Sequence, residues 1–150
     1  EYYLREEKLL DLSTEGQAAR SMARAIIDQG LSGMEEIWGS EVTLFYPGLY
    51  AGQTDLCGIY SGRESIIDFK QTNKPKRREW VEDYFLQLAA YAMAHDVIYG
   101  TCIDQGVILM CSKDGFFQKF TSNGGEFTRF KHKFLGKIDQ FYKLKSQKPA

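Results

Sequence analysis

Gly52-Gln53-Thr54-Asp55-Leu56-Cys57-Gly58-Ile59-Tyr60, then Ser61-Gly62, then Arg63-Glu64-Ser65-Ile66-Ile67-Asp68-Phe69-Lys70, is the stretch on which the fold turns. Residues from Tyr50 to Tyr60 are rich in β-branched, apolar and aromatic side chains and read as a strand. Ser61-Gly62 has the composition of a tight hairpin turn, and Glu64 to Lys70 reads as the next strand. The period of two along that strand puts Asp68 and Lys70 on one face and Phe69 on the other. Packing gives no reason for a run as apolar as Ile66-Ile67 to end on Asp-x-Lys. Two neighbouring strands can bring Asp55 and Asp68 to the same end of a sheet, with one ammonium beside them. Such a pair of carboxylates binds a hard divalent cation through oxygen, and the lysine can orient or help deprotonate an attacking water while offsetting phosphate charge. The simpler reading is an ordinary surface ion pair at a strand end, of little energetic weight. On Asp68 and Lys70 alone, that simpler reading is favoured.

Working outward, Ser13 to Gln29 carries Ala18, Ala19, Met22, Ala25 and Ile26 at helical spacing, with Gly30 as a stop. Glu41 to Phe45 reads as a strand, joined to the Tyr50 strand through Pro47-Gly48. Gln71 to Arg78 contains Pro75 and reads as an exposed loop bearing Lys74, Lys76, Arg77 and Arg78. A helix is predicted from Glu79 to Ala94, with Trp80, Tyr84, Leu88 and Tyr91 along one face and acids in its first turn. Thr101 to Ser112 and Phe116 to Phe120 flank Lys113-Asp114-Gly115, a hairpin signal. The last helix is predicted to start at Asn123 with Glu126 completing a capping box, and to bury Phe127, Phe130, Phe134, Ile138 and Phe141. The order α-β-β-β-α-β-β-α implies an α/β fold, a central mixed sheet with helices on its faces.

Gln87 and Tyr91 lie one helical turn apart on the first of those two later helices. Gly-x-x-Asp ending at Asp55, then Asp-x-Lys, then Gln-x-x-x-Tyr, in this order, resembles the RecB-like branch of the PD-(D/E)XK nucleases. The resemblance extends from Glu41 to about Lys145 and is similar in detail to the mitochondrial genome-maintenance exonuclease type and its phage relatives, including Gln71-Thr72-Asn73-Lys74-Pro75-Lys76 and the Gly106-Val107-Ile108-Leu109 strand. It implies a restriction-endonuclease-like core in a single domain over residues 1–150. It implies Asp55, Asp68 and the main-chain carbonyl of Phe69 as metal ligands, Glu41 as a further acid, and Lys70 as the catalytic lysine. Gln87 and Tyr91 take the place of the helix motif beside the active site. Mg²⁺ or Mn²⁺ is the implied cofactor, and DNA, single-stranded or with free ends, the implied partner. The four loop cations are then placed to meet the DNA backbone. The implied reaction is exonucleolytic hydrolysis of single-stranded DNA in maintenance, repair or recombination. The alternatives are a structure-selective endonuclease or a catalytically silent DNA-binding module of the same fold. Relatives usually carry a metal-binding His on a helix before these strands, and no His precedes Asp55; the expectation is that the sequence starts downstream of it, truncated at the N-terminus.

Other chemistry is weakly represented. The chain of 150 residues is 43% hydrophobic and 26% charged, enough for one core. No apolar run approaches the roughly 20 residues that span a bilayer, so no membrane partner is expected. Cys57, Cys102 and Cys111 lack metal or redox spacing and read as free thiols of a reducing intracellular compartment, cytoplasm or mitochondrial matrix. They do not match a four-cysteine iron-sulfur cluster. His95 and His132 have no zinc-ligand pattern and read as a helix-end and a surface residue. The glycines form no P-loop. Net charge is -1, yet residues 101–150 hold nine Lys/Arg against four acids, which permits a polyanion partner.

Overall fold

The computed structural model describes residues 17–147. Helix α1 (Gln17–Ala25) continues through a π-helical turn (Ile26–Gly30) and a 3-10 turn (Leu31–Gly33). Strands β1 (Met34–Tyr46), β2 (Tyr50–Tyr60) and β3 (Arg63–Thr72) follow. A 3-10 turn (Arg78–Val81) leads into α2 (Glu82–Tyr99), then β4 (Gln105–Ser112), β5 (Phe117–Asn123) and α3 (Gly124–Gln147). Residues 13–16 of the first expected helix lie outside the described residues.

The five strands form one sheet in sequence order, antiparallel except for the parallel pair β3–β4. A parallel pair needs a long crossover, which the loop after β3 and α2 supply. All eight residues of β4 are buried, because helices cover the sheet on both faces; such a strand reads as a continuous apolar run. Alternation divides the core in two. Cys57, Ile66, Ile108 and Met110 pack against Val81, Phe85, Leu88, Ala89 and Ala92 of the α2 segment and Phe127 of α3. Leu56, Ile67, Val107, Leu109 and Cys111 pack against Met22 of α1 and Ile26 of the π-turn, with Phe69 at the margin.

Several boundaries differ from those expected. β1 runs for 13 residues rather than beginning at Glu41, with register irregularities at Met34/Glu36 and Ile37/Gly39. Those bulges broke the alternation that would have revealed it. The second helix begins at Glu82, so Trp80 belongs to the 3-10 turn and is 59% exposed instead of joining a buried stripe. That helix also runs past Ala94 to Tyr99, where Gly100, at φ 69, donates its N–H to the Asp96 carbonyl and closes it. β4 starts at Gln105, and Cys102 is exposed while Cys57 and Cys111 are buried. The expected capping box is not made. Asn123 stays in β5 and donates its side-chain amide to Gln105, while the Glu126 carboxylate takes Arg78 as its partner. Of the final helix's aromatic stripe, Phe127 is buried and Phe141 is exposed.

Candidate active site

The β2–β3 ladder runs from Tyr60↔Arg63 to Leu56↔Ile67 and stops. One step further in the same register places Asp55 opposite Asp68. There the Asp55 carboxylate, through Oδ2, accepts the backbone N–H of Phe69 at 2.8 Å. A ladder that ended on an apolar residue would leave that N–H for water; ending on Asp55 fixes the carboxylate instead. The Asp55 carboxyl adjoins that of Asp68 closely enough to help raise it. Lys70 Nζ lies 2.8 Å from Asp68 Oδ2 and 4.7 Å from the centroid of the Tyr84 ring on α2. The expected same-face relation of Asp68 and Lys70 is thus met, with Phe69 in the opposite core.

Electrostatics at this cluster follow from burial. Burial pushes Asp68 up from 3.8 to about 7; contact with Asp55 adds to the rise, and Lys70 opposes it. For Lys70, burial pulls the ammonium down, but the contact with Asp68 outweighs it and leaves the group above its ordinary value. The Asp68 contact thus favours the charged form of Lys70 and places positive charge beside the carboxyl pair. Two adjoining carboxyls with one ammonium carry an excess of negative charge that a proton or a cation must offset. Oxygen donors of this kind suit Mg²⁺ or Mn²⁺, which bind through one or two carboxylates and fill their remaining positions with water and substrate phosphate. The donor set fits such an ion. Among the described residues no group of three or more His, Cys, Asp or Glu side chains is placed to hold a metal ion.

Glu41 falls opposite Asp55 if the β1–β2 register is continued, but it does not join the carboxyl pair to make a third. It is exposed, with φ 50, and its carbonyl accepts a hydrogen bond from Gln53. Gln87 donates to the Tyr91 hydroxyl at 2.8 Å, as their one-turn spacing implied. Tyr91 in turn explains Gly52: a Cβ at position 52 would come within 2.4 Å of the Tyr91 ring. The Gly-x-x-Asp and Gln-x-x-x-Tyr motifs are therefore two sides of one contact. Tyr84, expected on one helix face with Tyr91, is a further residue at this cluster that the sequence reading does not assign to the site. Its spacing of three from Gln87 and seven from Tyr91 was the available signal that it shares their face.

The loop cations separate in space. Arg78 pairs with Glu126 of α3 and lies over the Phe85 ring, and Arg77 lies over Trp80. Lys74 is exposed, and Lys76 lines a cavity beside Tyr84. His95 is buried rather than merely at a helix end, stacked on Trp38 and bonded to Thr101, whereas His132 is exposed.

No protein-family model matches the chain. Over 71 residues, 44% of this chain, it is 37% identical to mitochondrial genome maintenance exonuclease 1 of Homo sapiens, and spans 20% of that protein's length. A crystal structure of a protein from Eubacterium rectale that carries an exonuclease assignment superposes with a TM-score of 0.60 at 14% identity. That match covers 87% of this chain and 52% of the other. By its sheet the chain has the restriction-endonuclease-like fold, and over those 71 residues its sequence is similar to that of mitochondrial genome maintenance exonuclease 1.

Proposed function

We propose that the chain is the catalytic core of a metal-dependent DNA exonuclease acting on single-stranded DNA or on free ends. The observation that carries this reading is the carboxyl pair of Asp55 and Asp68 across the open end of β2–β3, with the Lys70 ammonium on Asp68. Partial homology to an exonuclease supports it. Asp55 and Asp68 would hold Mg²⁺ or Mn²⁺, with the Phe69 carbonyl as the main-chain ligand. When bound, the ion supplies Lewis-acid stabilisation of charge on the scissile phosphate and the leaving oxygen. The Phe69 N–H fixes the Asp55 carboxylate, so that ligand does not reorient during turnover. Lys70, held by Asp68 and the Tyr84 ring, presents positive charge where the attacking water and the phosphate oxygen meet. Gln87 and Tyr91 align the strand from the helix side, and Lys74 and Arg77 meet its phosphates.

The test compares linear and circular single-stranded DNA carrying internal and end labels, with Mg²⁺, Mn²⁺, Ca²⁺ or chelator. Expected are Mg²⁺- or Mn²⁺-dependent release of nucleotides from linear DNA, poor support by Ca²⁺, and intact circles. Cleaved circles overturn the exonuclease assignment, and full activity in chelator overturns the metal requirement.

A further inference from the structure

Beyond the carboxylate end of β3 lies a cavity of about 410 Å³, lined by Met22, Gln71, Thr72, Asn73, Lys76, Tyr84, Met110 and Lys113. Its size falls within the roughly 300–1,000 Å³ range of small-molecule sites. It opens at the C-terminal ends of β3 and β4, the one parallel pair, where open α/β sheets place their ligands. Tyr84 is shared: its ring carries the Lys70 ammonium and forms a wall of the cavity. The chamber therefore adjoins the Asp55–Asp68–Lys70 cluster without containing any of those three residues.

The cavity is held in shape from several sides. Gln118 of β5 clamps the backbone of Lys76, accepting its N–H at 2.9 Å and donating to its carbonyl at 2.8 Å. The Lys113 N–H donates to the Thr72 carbonyl at 3.0 Å, and the Thr72 hydroxyl donates to the Lys74 carbonyl at 2.9 Å. Asp114, the acid next to Lys113, bonds the Ser112 hydroxyl. Among the described residues neither the Lys76 nor the Lys113 ammonium has an ion-pair partner, and neither the Gln71 nor the Asn73 side-chain amide makes a hydrogen bond. Lys113, Gln71 and Asn73 are exposed at the cavity mouth and Lys76 is half-buried; two ammoniums and two amides without protein partners, beside an aromatic wall and two methionines, suit a ligand that is anionic at one end and flat and apolar at the other.

We infer that this cavity is a subsite for a nucleotide bearing a terminal phosphate monoester, gripped by Lys76 and Lys113 with the base or sugar against Tyr84, Met110 and Met22. The inference rests on the nuclease reading for its biological setting, but its chemistry stands by itself. The same phosphate could be the end of a substrate strand or that of a released mononucleotide.

Binding is measured by calorimetry on the metal-free chain in chelator, where no cleavage intervenes, with thymidine 5′-monophosphate and thymidine as probes. Expected is binding of the monophosphate with thymidine about tenfold or more weaker, and a loss of about tenfold in Lys113→Ala and in Lys76→Ala. Lys137→Ala, an exposed lysine elsewhere on α3, should bind as wild type. No binding of the monophosphate, equal binding of thymidine, or unchanged affinity in both cavity variants overturns the inference. Oligonucleotides with and without a terminal phosphate then identify the source. Phosphate-dependent competition that needs Lys113 points to the strand end, and competition by the mononucleotide alone points to product. Monophosphate binding without any cleavage by wild type would sink the nuclease reading alone. Cleavage without Lys113-dependent phosphate binding would sink the cavity alone.

Discussion

Asp68 is the residue at which burial and chemistry conflict most directly. Its folded-state value of about 7 lies above the ordinary 3.8, so the native chain binds more protons than the unfolded chain between those values. Stability of the metal-free protein must then fall as pH rises through that window, by up to ~1.4 kcal/mol per pH unit while Asp68 alone titrates. Thermal melts from pH 4 to pH 8 in chelator should show this decline, Asp68→Asn should flatten it, and saturating Mg²⁺ or Mn²⁺ should offset it near neutrality. A wild-type profile that rises across the window would refute the assignment. Lys70→Ala should abolish cleavage while leaving most DNA affinity, because it removes charge at the phosphate and not a core contact. Gln87 and Tyr91 share one hydrogen bond, so Gln87→Ala, Tyr91→Phe and the double variant should lower kcat to about the same level. Additive losses in single-turnover rates would show that the two side chains act separately. Asp55, Asp68 and Lys70 stand out in the sequence only through the ordered set of motifs around them, since Asp-x-Lys by itself reads as a surface ion pair. The balance of burial against Asp68 at Lys70 is not legible there, since it depends on the packing around both groups.

At the scale of elements, Gln71 to Arg78 reads in the sequence as one exposed loop whose four cations meet the DNA backbone, and those cations prove to have different surroundings. Arg78 is held by Glu126 and Phe85, whereas Lys74 is exposed and has no ion-pair partner among the described residues. Single alanine variants should reflect that division. Lys74→Ala and Arg77→Ala should each reduce the log–log salt slope of DNA binding by roughly one, while Arg78→Ala should leave the slope nearly unchanged and cost under ~1 kcal/mol of stability. Equal slope changes in all three, measured by fluorescence anisotropy across salt, would remove the distinction. The capping box at Asn123 is likewise not made, and Glu126 instead pairs with Arg78, 48 residues upstream.

Across the whole molecule, β4 is the strand on which both halves of the core depend. Ile108 faces α2 and α3, and its neighbours Val107 and Leu109 face α1. Ile108→Ala should lower the unfolding free energy by about 2–5 kcal/mol, read as a reduced denaturant midpoint at unchanged m-value. A change below ~1 kcal/mol would mean the two clusters are not anchored there. The sequence by itself determined the α/β class, the β2–turn–β3 unit and the pairing of Gln87 with Tyr91, because alternation, turn chemistry and helical spacing are local properties. Only the tertiary structure decided that Asp55 faces Asp68 where a ladder stops and that Gly52 makes room for Tyr91. It also decided that Lys76 and Lys113, far apart in the chain, line one cavity. Each of these depends on register and crossover, which pack residues distant in sequence, and no short-range pattern encodes which distant side chain will fill a given space.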